Sequence, residues 1–409
     1  MNLQLTTQSK SLNESIIISG SKSESNRLLI LQKLYDNLKI ENLSDSDDSN
    51  HLLEALTSQK ETVNIGHAGT AMRFLTAYFA CLEGREVILT GSERMQNRPI
   101  GILVDALRSL GAKIEYVAKE GYPPLKITGQ KFEKNKVQID GNVSSQYISA
   151  LALIASSLEN GLEIELIGKV TSVPYVNMTL SLLNELGIST TFKDNIITVF
   201  YKEELASKEV VVESDWSSAS YFYSLVALSE LGSEITLTAY KQNSLQGDSC
   251  LSEIYKHFGV TTNFKEHSIV LKKEKETNKD VLNIDLKNAP DIAQTIAVTC
   301  FGLEVGCDLE GLHTLKIKET DRLEALKEEL TKFGAEIEVT NETLHLKPSK
   351  EIAKNVTVKT YQDHRMAMAF APLALKVPVQ ISEAMVVTKS YRSFWNDMKK
   401  IGMLVEEIK

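Results

Sequence analysis

The chain has 409 residues, 43% hydrophobic and 24% charged, a composition that fits a globular protein of two or three domains with a sizeable core. Its formal net charge of −9 excludes a general surface for nucleic acid or anionic membrane, which would need a basic excess, but leaves room for a cationic cleft. The four cysteines (Cys81, Cys250, Cys300, Cys307) form no CxxC pair and the seven histidines show no metal-ligand spacing, so disulfides and structural zinc are not expected and a reducing compartment is.

The first residues, MNLQLTTQSK, lack a basic segment ahead of an apolar run, and no apolar stretch reaches the roughly 18 residues of a membrane span. A cytoplasmic protein is therefore expected. Ile16 to Ser21 reads as a strand and a turn. Lys22-Ser23-Glu24-Ser25-Asn26-Arg27 follows, then the apolar run Leu28–Leu34. Ser23 is predicted to cap this helix and to offer its hydroxyl and N–H to an anion, with Lys22 and Arg27 flanking it. The alternative is an ordinary capped helix with solvated charges. Gly66-His67-Ala68-Gly69-Thr70 sets two glycines before a helix, a shape that lets an anion approach the backbone. Arg98 stands before Pro99, which is predicted at the first helical position.

Ser144-Ser145-Gln146 opens the apolar run Ile148–Ala155, and Pro290-Asp291 opens Ile292–Leu303; both suit buried helices. In Lys318-Glu319-Thr320-Asp321-Arg322, Asp321 with Glu324 resembles a capping box, which places Arg322 in a first helical turn. A cation there opposes the helix dipole, so Arg322 is expected to face an anion. Asp363-His364-Arg365 has the same character. Lys389 falls in a predicted turn after a strand over 381–387.

These elements recur. A helix ending in a bulky apolar residue and then glycine appears at Gly111, Gly187, Gly259, Gly334 and Gly402, at intervals of 76, 72, 75 and 68 residues by subtraction. Glycine there suits a left-handed helix C-cap. A second series, Thr70, Ser144, Ser218, Asp291 and His364, is spaced by 74, 74, 73 and 73 residues and marks polar starts of apolar helices; Lys22–Arg27 supplies a sixth start. Six units of roughly 68 residues follow, each with a buried helix, an amphipathic outer helix and short strands. A solenoid would expose helices this apolar. Helices pointing their N-termini into a cleft satisfy both the apolar bodies and the polar first turns, and favour anions there.

Lys22–Arg27, Ala68–Arg73, Arg98-Pro99-Ile100, Val143–Gln146, Asn243–Asp248, Pro290-Asp291, Lys318–Arg322 and Asp363–Met368 together resemble the signatures of the 5-enolpyruvylshikimate-3-phosphate synthase family, in order, from Lys22 to Lys389. The resemblance implies an inside-out α/β fold of two globular domains, each of three βαβαββ units with buried helices pointing at an interdomain cleft. The domains would be 21–214, and 1–20 with 215–409. It implies transfer of the enolpyruvyl group of phosphoenolpyruvate to the 5-hydroxyl of shikimate 3-phosphate by a monomer with no nucleic-acid or membrane partner, no metal and no organic cofactor. The shikimate 3-phosphate site would use Lys22, Ser23, Arg27, Ser144, Ser145, Gln146, Ser172, Tyr175, Asp291 and Lys318. Phosphoenolpyruvate would meet Lys22, Gly69, Arg98, Gln146, Arg322, Arg365 and Lys389. Lys22, Asp291 and Glu319 would transfer protons, Asp291 nearest the acceptor hydroxyl and Glu319 nearest C3. Glyphosate would compete in the phosphoenolpyruvate subsite.

The chain departs from the family pattern at His67 (commonly Asn), Phe74 (Pro in some members), Thr314 (Asn in some members) and Arg392 (usually Pro). One rival is the sister enzyme that acts on a UDP-linked amino sugar through a reactive cysteine; here Cys81 sits in an apolar run and reads as structural. The other is a non-catalytic anion-binding relative, which would be expected to have lost the cleft cations.

Overall fold

Among the described residues five four-stranded sheets share one pattern of a parallel pair followed by two antiparallel pairs, and four of them share one strand order along the chain. In one of them Leu282–Asp285 pairs in parallel with Cys307–Glu310, which pairs antiparallel with Leu344–Leu346, itself antiparallel to Ile337–Val339. Parallel neighbours need a crossover, and the buried helix Ala293–Gly302 supplies it. The amphipathic helix Arg322–Lys332 then leads into the hairpin. The same arrangement recurs for Thr62–Asn64, Glu86–Thr90, Lys113–Tyr116 and Leu125–Thr128, and for Lys136–Asp140, Leu162–Ile167, Thr190–Lys193 and Ile196–Val199. It recurs for Asn13–Ile16, Glu234–Thr238, Val260–Lys265 and Ser268–Lys273. The fifth joins Val356–Val358 and Val379–Ile381 to strands near the two chain ends, Asn2–Thr7 and Met403–Ile408. Leu38–Glu41 and Lys208–Val211 form a two-stranded parallel sheet.

The structure, a computed structural model, describes residues 1–142, 144–168, 170, 173–318 and 320–408. It divides into a unit of Met1–Ser19 with Glu213–Lys409 and a unit of Gly20–Val212. Gly20 stands at one of these boundaries because nothing larger fits: a Cβ there would lie 1.9 Å from the Asn42 carbonyl oxygen.

Six helices form the interiors. Lys22–Leu34, Gly69–Cys81 and Ser145–Ala155 belong to the Gly20–Val212 unit, and Trp216–Leu228, Ala293–Gly302 and His364–Phe370 to the other. All ten residues of Ala293–Gly302 are buried, as a helix apolar on every side must be. The sheets cover them with one face each: Leu162–Ile167 alternates buried and half-exposed side chains along its length. Outer helices are one-sided; Gly101–Leu110 buries Leu103, Val104, Ala106, Leu107 and Leu110. Gly111, Gly187, Gly259, Gly334 and Gly402 all adopt left-handed backbone, with φ of 113°, 82°, 76°, 99° and 92°.

Three local expectations differ. The helix Lys22–Leu34 has Ser21, not Ser23, at its N-cap, with no side-chain cap bond. The helix after Pro99 begins at Gly101 with the fully buried Ile100 as its cap residue, so Pro99 lies before the cap. The strand expected over 381–387 is instead Val379–Ile381, and Lys389 ends a 3₁₀ helix, Ala384–Lys389, entered through the left-handed Glu383.

Candidate active site

In the unit containing Glu213–Lys409, three cations converge on one carboxylate. Asp291 lies in the short 3₁₀ turn Pro290–Ile292 that starts the Ala293–Gly302 helix, and no side chain caps that start. Arg322 is in the first turn of its helix because Asp321 caps the N–H groups of Leu323 and Glu324, each at 3.2 Å. Arg365 is in the first turn of His364–Phe370, where the Asp363 side chain accepts from the Arg365 N–H at 2.9 Å. Arg322 Nη1 donates to Asp291 Oδ1 at 2.8 Å and Arg322 Nε to Asp363 Oδ2 at 2.6 Å. Arg365 Nη2 lies 3.3 Å from Asp291 Oδ2, and Lys318 Nζ 3.4 Å from Asp291 Oδ1. The anion expected opposite Arg322 is thus present as two protein carboxylates.

Burial alone would raise the Asp291 carboxyl, but Lys318, Arg365 and Arg322 outweigh it and hold it well below the usual carboxylate range. Burial likewise works against the charge on Arg365, and Asp291, Asp248 and Asp215 more than offset it. Removing one partner from so buried a set leaves an uncompensated charge, at roughly 3–5 kcal/mol. Behind Arg365, its Nη2 donates to Ser217 Oγ at 3.2 Å, and Ser217 Oγ donates to Asp248 Oδ2. Burial first, and then Asp291, push the Asp248 carboxyl up to about 6. Lys389 Nζ donates to the Gln362 carbonyl at 2.7 Å, next to Asp363.

In the Gly20–Val212 unit the start of Gly69–Cys81 is also free of a side-chain cap. A Cβ on Gly69 would meet Arg98 Nη1 at 2.5 Å, so the exposed Arg98 guanidinium lies directly against this helix start. Arg73 holds that pairing: Nη1 donates to the Gly69 carbonyl at 3.1 Å and Nη2 to the Pro99 carbonyl at 2.9 Å. Tyr147 donates its hydroxyl to the same Pro99 carbonyl at 2.7 Å. Gln146 Nε2 donates to Thr70 Oγ1 at 3.1 Å, tying the Ser145–Ala155 helix start to that of Gly69–Cys81. Ser144 caps the former helix through the Gln146 N–H, and Ser145 is mostly buried beside it.

Lys22 Nζ lies 3.6 Å from Asp48 Oδ2. Arg27 is 3% exposed and turned inward: it donates to the carbonyls of Ser23 at 2.7 Å and Tyr175 at 3.2 Å, and to the hydroxyls of Thr179 at 2.7 Å and Ser149 at 3.2 Å. Its guanidinium lies 5.6 Å from the Phe74 ring centre, so Phe74 packs on a candidate site residue. Burial lowers Arg27 to about 10. Of the departures, His67 meets His51 edge to face at 6.1 Å, and the Thr314 hydroxyl is buried without a hydrogen-bond partner. Ser172 and Glu319 lie outside the described residues.

Asp363, Ser217, Asp248 and Arg73 were given no individual role by the sequence, although each stands inside or beside a quoted motif. Their local bonds, Arg73 to the Gly69 carbonyl and the Asp363 cap on Arg365, are ordinary; the partners that single them out are 26 to 148 residues away. Among the described residues no group of three or more His, Cys, Asp or Glu is placed to hold a metal ion, and no helix is long and apolar enough to cross a membrane.

The model of the family EPSP synthase (3-phosphoshikimate 1-carboxyvinyltransferase) matches residues 57–398. A 3-phosphoshikimate 1-carboxyvinyltransferase of Bacteroides fragilis (strain YCH46) is 46% identical over 391 residues, covering 95% of each chain. One from Haemophilus influenzae (strain ATCC 51907 / DSM 11121 / KW20 / Rd) is 36% identical over 422 residues, covering 94% of this chain and 96% of its own. A solved EPSP synthase of Acinetobacter baumannii, 20% identical, superposes with a TM-score of 0.82 over 99% of this chain and 100% of its own, which gives the same two-domain inside-out α/β fold.

Proposed function

The chain belongs to the EPSP synthase family, and on that premise we propose that its helix-start cations hold phosphoenolpyruvate and shikimate 3-phosphate as the family signatures imply. The reaction is transfer of the enolpyruvyl group of phosphoenolpyruvate to the 5-hydroxyl of shikimate 3-phosphate, with release of phosphate, in the shikimate pathway to aromatic amino acids. The observation that carries the site reading is the convergence of Arg322, Arg365 and Lys318 on Asp291.

Phosphoenolpyruvate brings a phosphate and a carboxylate, which would replace protein carboxylates as partners of Arg322 and Arg365; Lys22, Gly69, Arg98, Gln146 and Lys389 complete its proposed contacts. Shikimate 3-phosphate would be held by Lys22, Ser23, Arg27, Ser144, Ser145, Gln146, Ser172, Tyr175, Asp291 and Lys318. With its cations drawn to the substrate, Asp291 becomes a stronger base and accepts the 5-hydroxyl proton as the oxygen attacks C2. C3 gains a proton, for which Glu319 is the proposed donor. The tetrahedral intermediate then returns a proton from C3 and expels phosphate, with Lys22 and the arginines stabilising the departing charge. Phosphate is a good leaving group by itself, which supports the reading that no metal or organic cofactor takes part. We read the chain as a cytoplasmic monomer with domains 21–214 and 1–20 plus 215–409.

Transfer to a UDP-linked amino sugar through a reactive thiol is disfavoured by Cys81, whose thiol burial pushes up to about 12. The test is phosphate release from phosphoenolpyruvate with either acceptor. Release is expected with shikimate 3-phosphate and not with UDP-N-acetylglucosamine. Glu319→Gln should depress turnover with both affinities within a few-fold, whereas Arg322→Ala should weaken phosphoenolpyruvate binding more than shikimate 3-phosphate binding, since a lost charge-assisted contact costs about 1.5–3 kcal/mol. Lost binding with intact turnover in Glu319→Gln would remove that residue from the chemistry.

A further inference from the structure

On the helix Arg322–Lys332, Arg322 and Glu329 are seven residues apart and so share a face. Arg322 reaches Asp363 from that face. Glu329, fully buried, reaches the segment just before it. Its Oε1 accepts the Tyr361 hydroxyl at 2.6 Å and its Oε2 accepts the Lys359 N–H at 3.1 Å. Lys332 Nζ, 2.7 Å from both oxygens, balances the charge. Lys332 alone would satisfy the ion pair; the other two bonds tie the helix to 359–361.

That segment is strained. Tyr361 and Gln362 have φ of 53° and 56°, consecutive left-handed residues closed by the Asp363 N–H to the Thr360 carbonyl at 2.8 Å. Such a turn ordinarily takes Gly, Asn or Asp at its centre. Tyr and Gln hold it only where the surroundings over-determine it. Glu329 supplies two of the restraints, the Arg322–Asp363 pair another, and Lys389 on the Gln362 carbonyl a fourth. The turn in turn sets the Asp363 cap, and thereby where Arg365 stands.

We propose that Glu329 is a positioning residue for phosphoenolpyruvate binding, acting through this turn on Arg365 and Lys389; the inference rests on the proposed roles of those two residues. A carboxylate that merely stabilises the unit would, when changed, lower the melting temperature without choosing between substrates. A positioning residue raises KM for one substrate. The turn also allows a rescue: Asn tolerates left-handed backbone, so Gln362→Asn should restore the turn where the Glu329 contacts are lost.

The experiment measures KM for each substrate in Glu329→Gln, Tyr361→Phe and the double variant Glu329→Gln/Gln362→Asn, with Arg365→Ala and Lys389→Ala alongside. Glu329→Gln is expected to raise KM for phosphoenolpyruvate about tenfold and leave that for shikimate 3-phosphate within about twofold. Tyr361→Phe should shift it about threefold the same way, and this variant decides the matter if Glu329→Gln does not fold. The double variant should recover most of the loss. Equal rises in both KM values, no rise in either variant, or no recovery would overturn the proposal while Arg365→Ala and Lys389→Ala still weaken phosphoenolpyruvate. Should those two leave phosphoenolpyruvate binding unchanged, the site reading itself fails and this inference falls with it.

Discussion

Asp248 and Asp291 are two buried carboxyls whose surroundings push them in opposite directions. Asp291 has three cations within 3.4 Å and stays ionised, whereas burial carries Asp248 from an ordinary 3.8 to about 6. Because the folded pKa is raised, the folded state binds this proton more tightly than the unfolded chain. That contribution to stability is full below about pH 4 and is lost as pH rises through about 6. A shift of this size corresponds to on the order of 2–3 kcal/mol at pH 8. Asp248→Asn keeps an acceptor for Ser217 and removes the charge. Calorimetry should show it melting a few degrees above wild type at pH 8, with the gain shrinking toward pH 4. A lower melting temperature at pH 8 would mean instead that ionised Asp248 is net stabilising through Arg365.

The helix start at Gly69 joins element geometry to ligand choice. A methyl there would displace the end of Arg98, a flexible and exposed side chain, so the fold should tolerate it. The same methyl moves a proposed phosphoenolpyruvate contact and crowds a longer ligand. Gly69→Ala is therefore expected to keep its melting temperature within a degree or two. It should raise the inhibition constant for glyphosate more than KM for phosphoenolpyruvate. An unchanged inhibition constant would place Gly69 outside the inhibitor's pocket. Features of this local kind were the legible ones: the left-handed glycines at 111, 187, 259, 334 and 402, and the Asp321 cap that puts Arg322 in a first turn, each depend on a few neighbouring residues. Ser21 against Ser23 was a choice between like residues two apart, and only packing at the helix start makes it. Pairings such as Arg322 with Asp363, 41 residues on, have no local signal. Glu329 shows the same limit: it sits beside Glu328 in sequence, and the fold alone decides which is buried.

Across the whole molecule the repeated parallel pair, buried crossover helix and antiparallel hairpin makes each unit a set of apolar helices whose polar first turns carry part of the candidate residues, with Arg98, Arg322 and Lys389 reaching in from neighbouring segments. The repeat interval of about 73 residues was readable because each repeat is one such assembly. Its function depends on what the first turns bind. Buried arginines opposite buried carboxylates are a costly arrangement unless an anionic substrate uses them. The direct measurement is a ³¹P NMR time course of the protein with phosphoenolpyruvate and shikimate 3-phosphate. The expected result is equal loss of both resonances, with free phosphate and one new phosphomonoester appearing in step. Phosphate formed from phosphoenolpyruvate while shikimate 3-phosphate stays unconsumed, or no change in either, would contradict enolpyruvyl transfer.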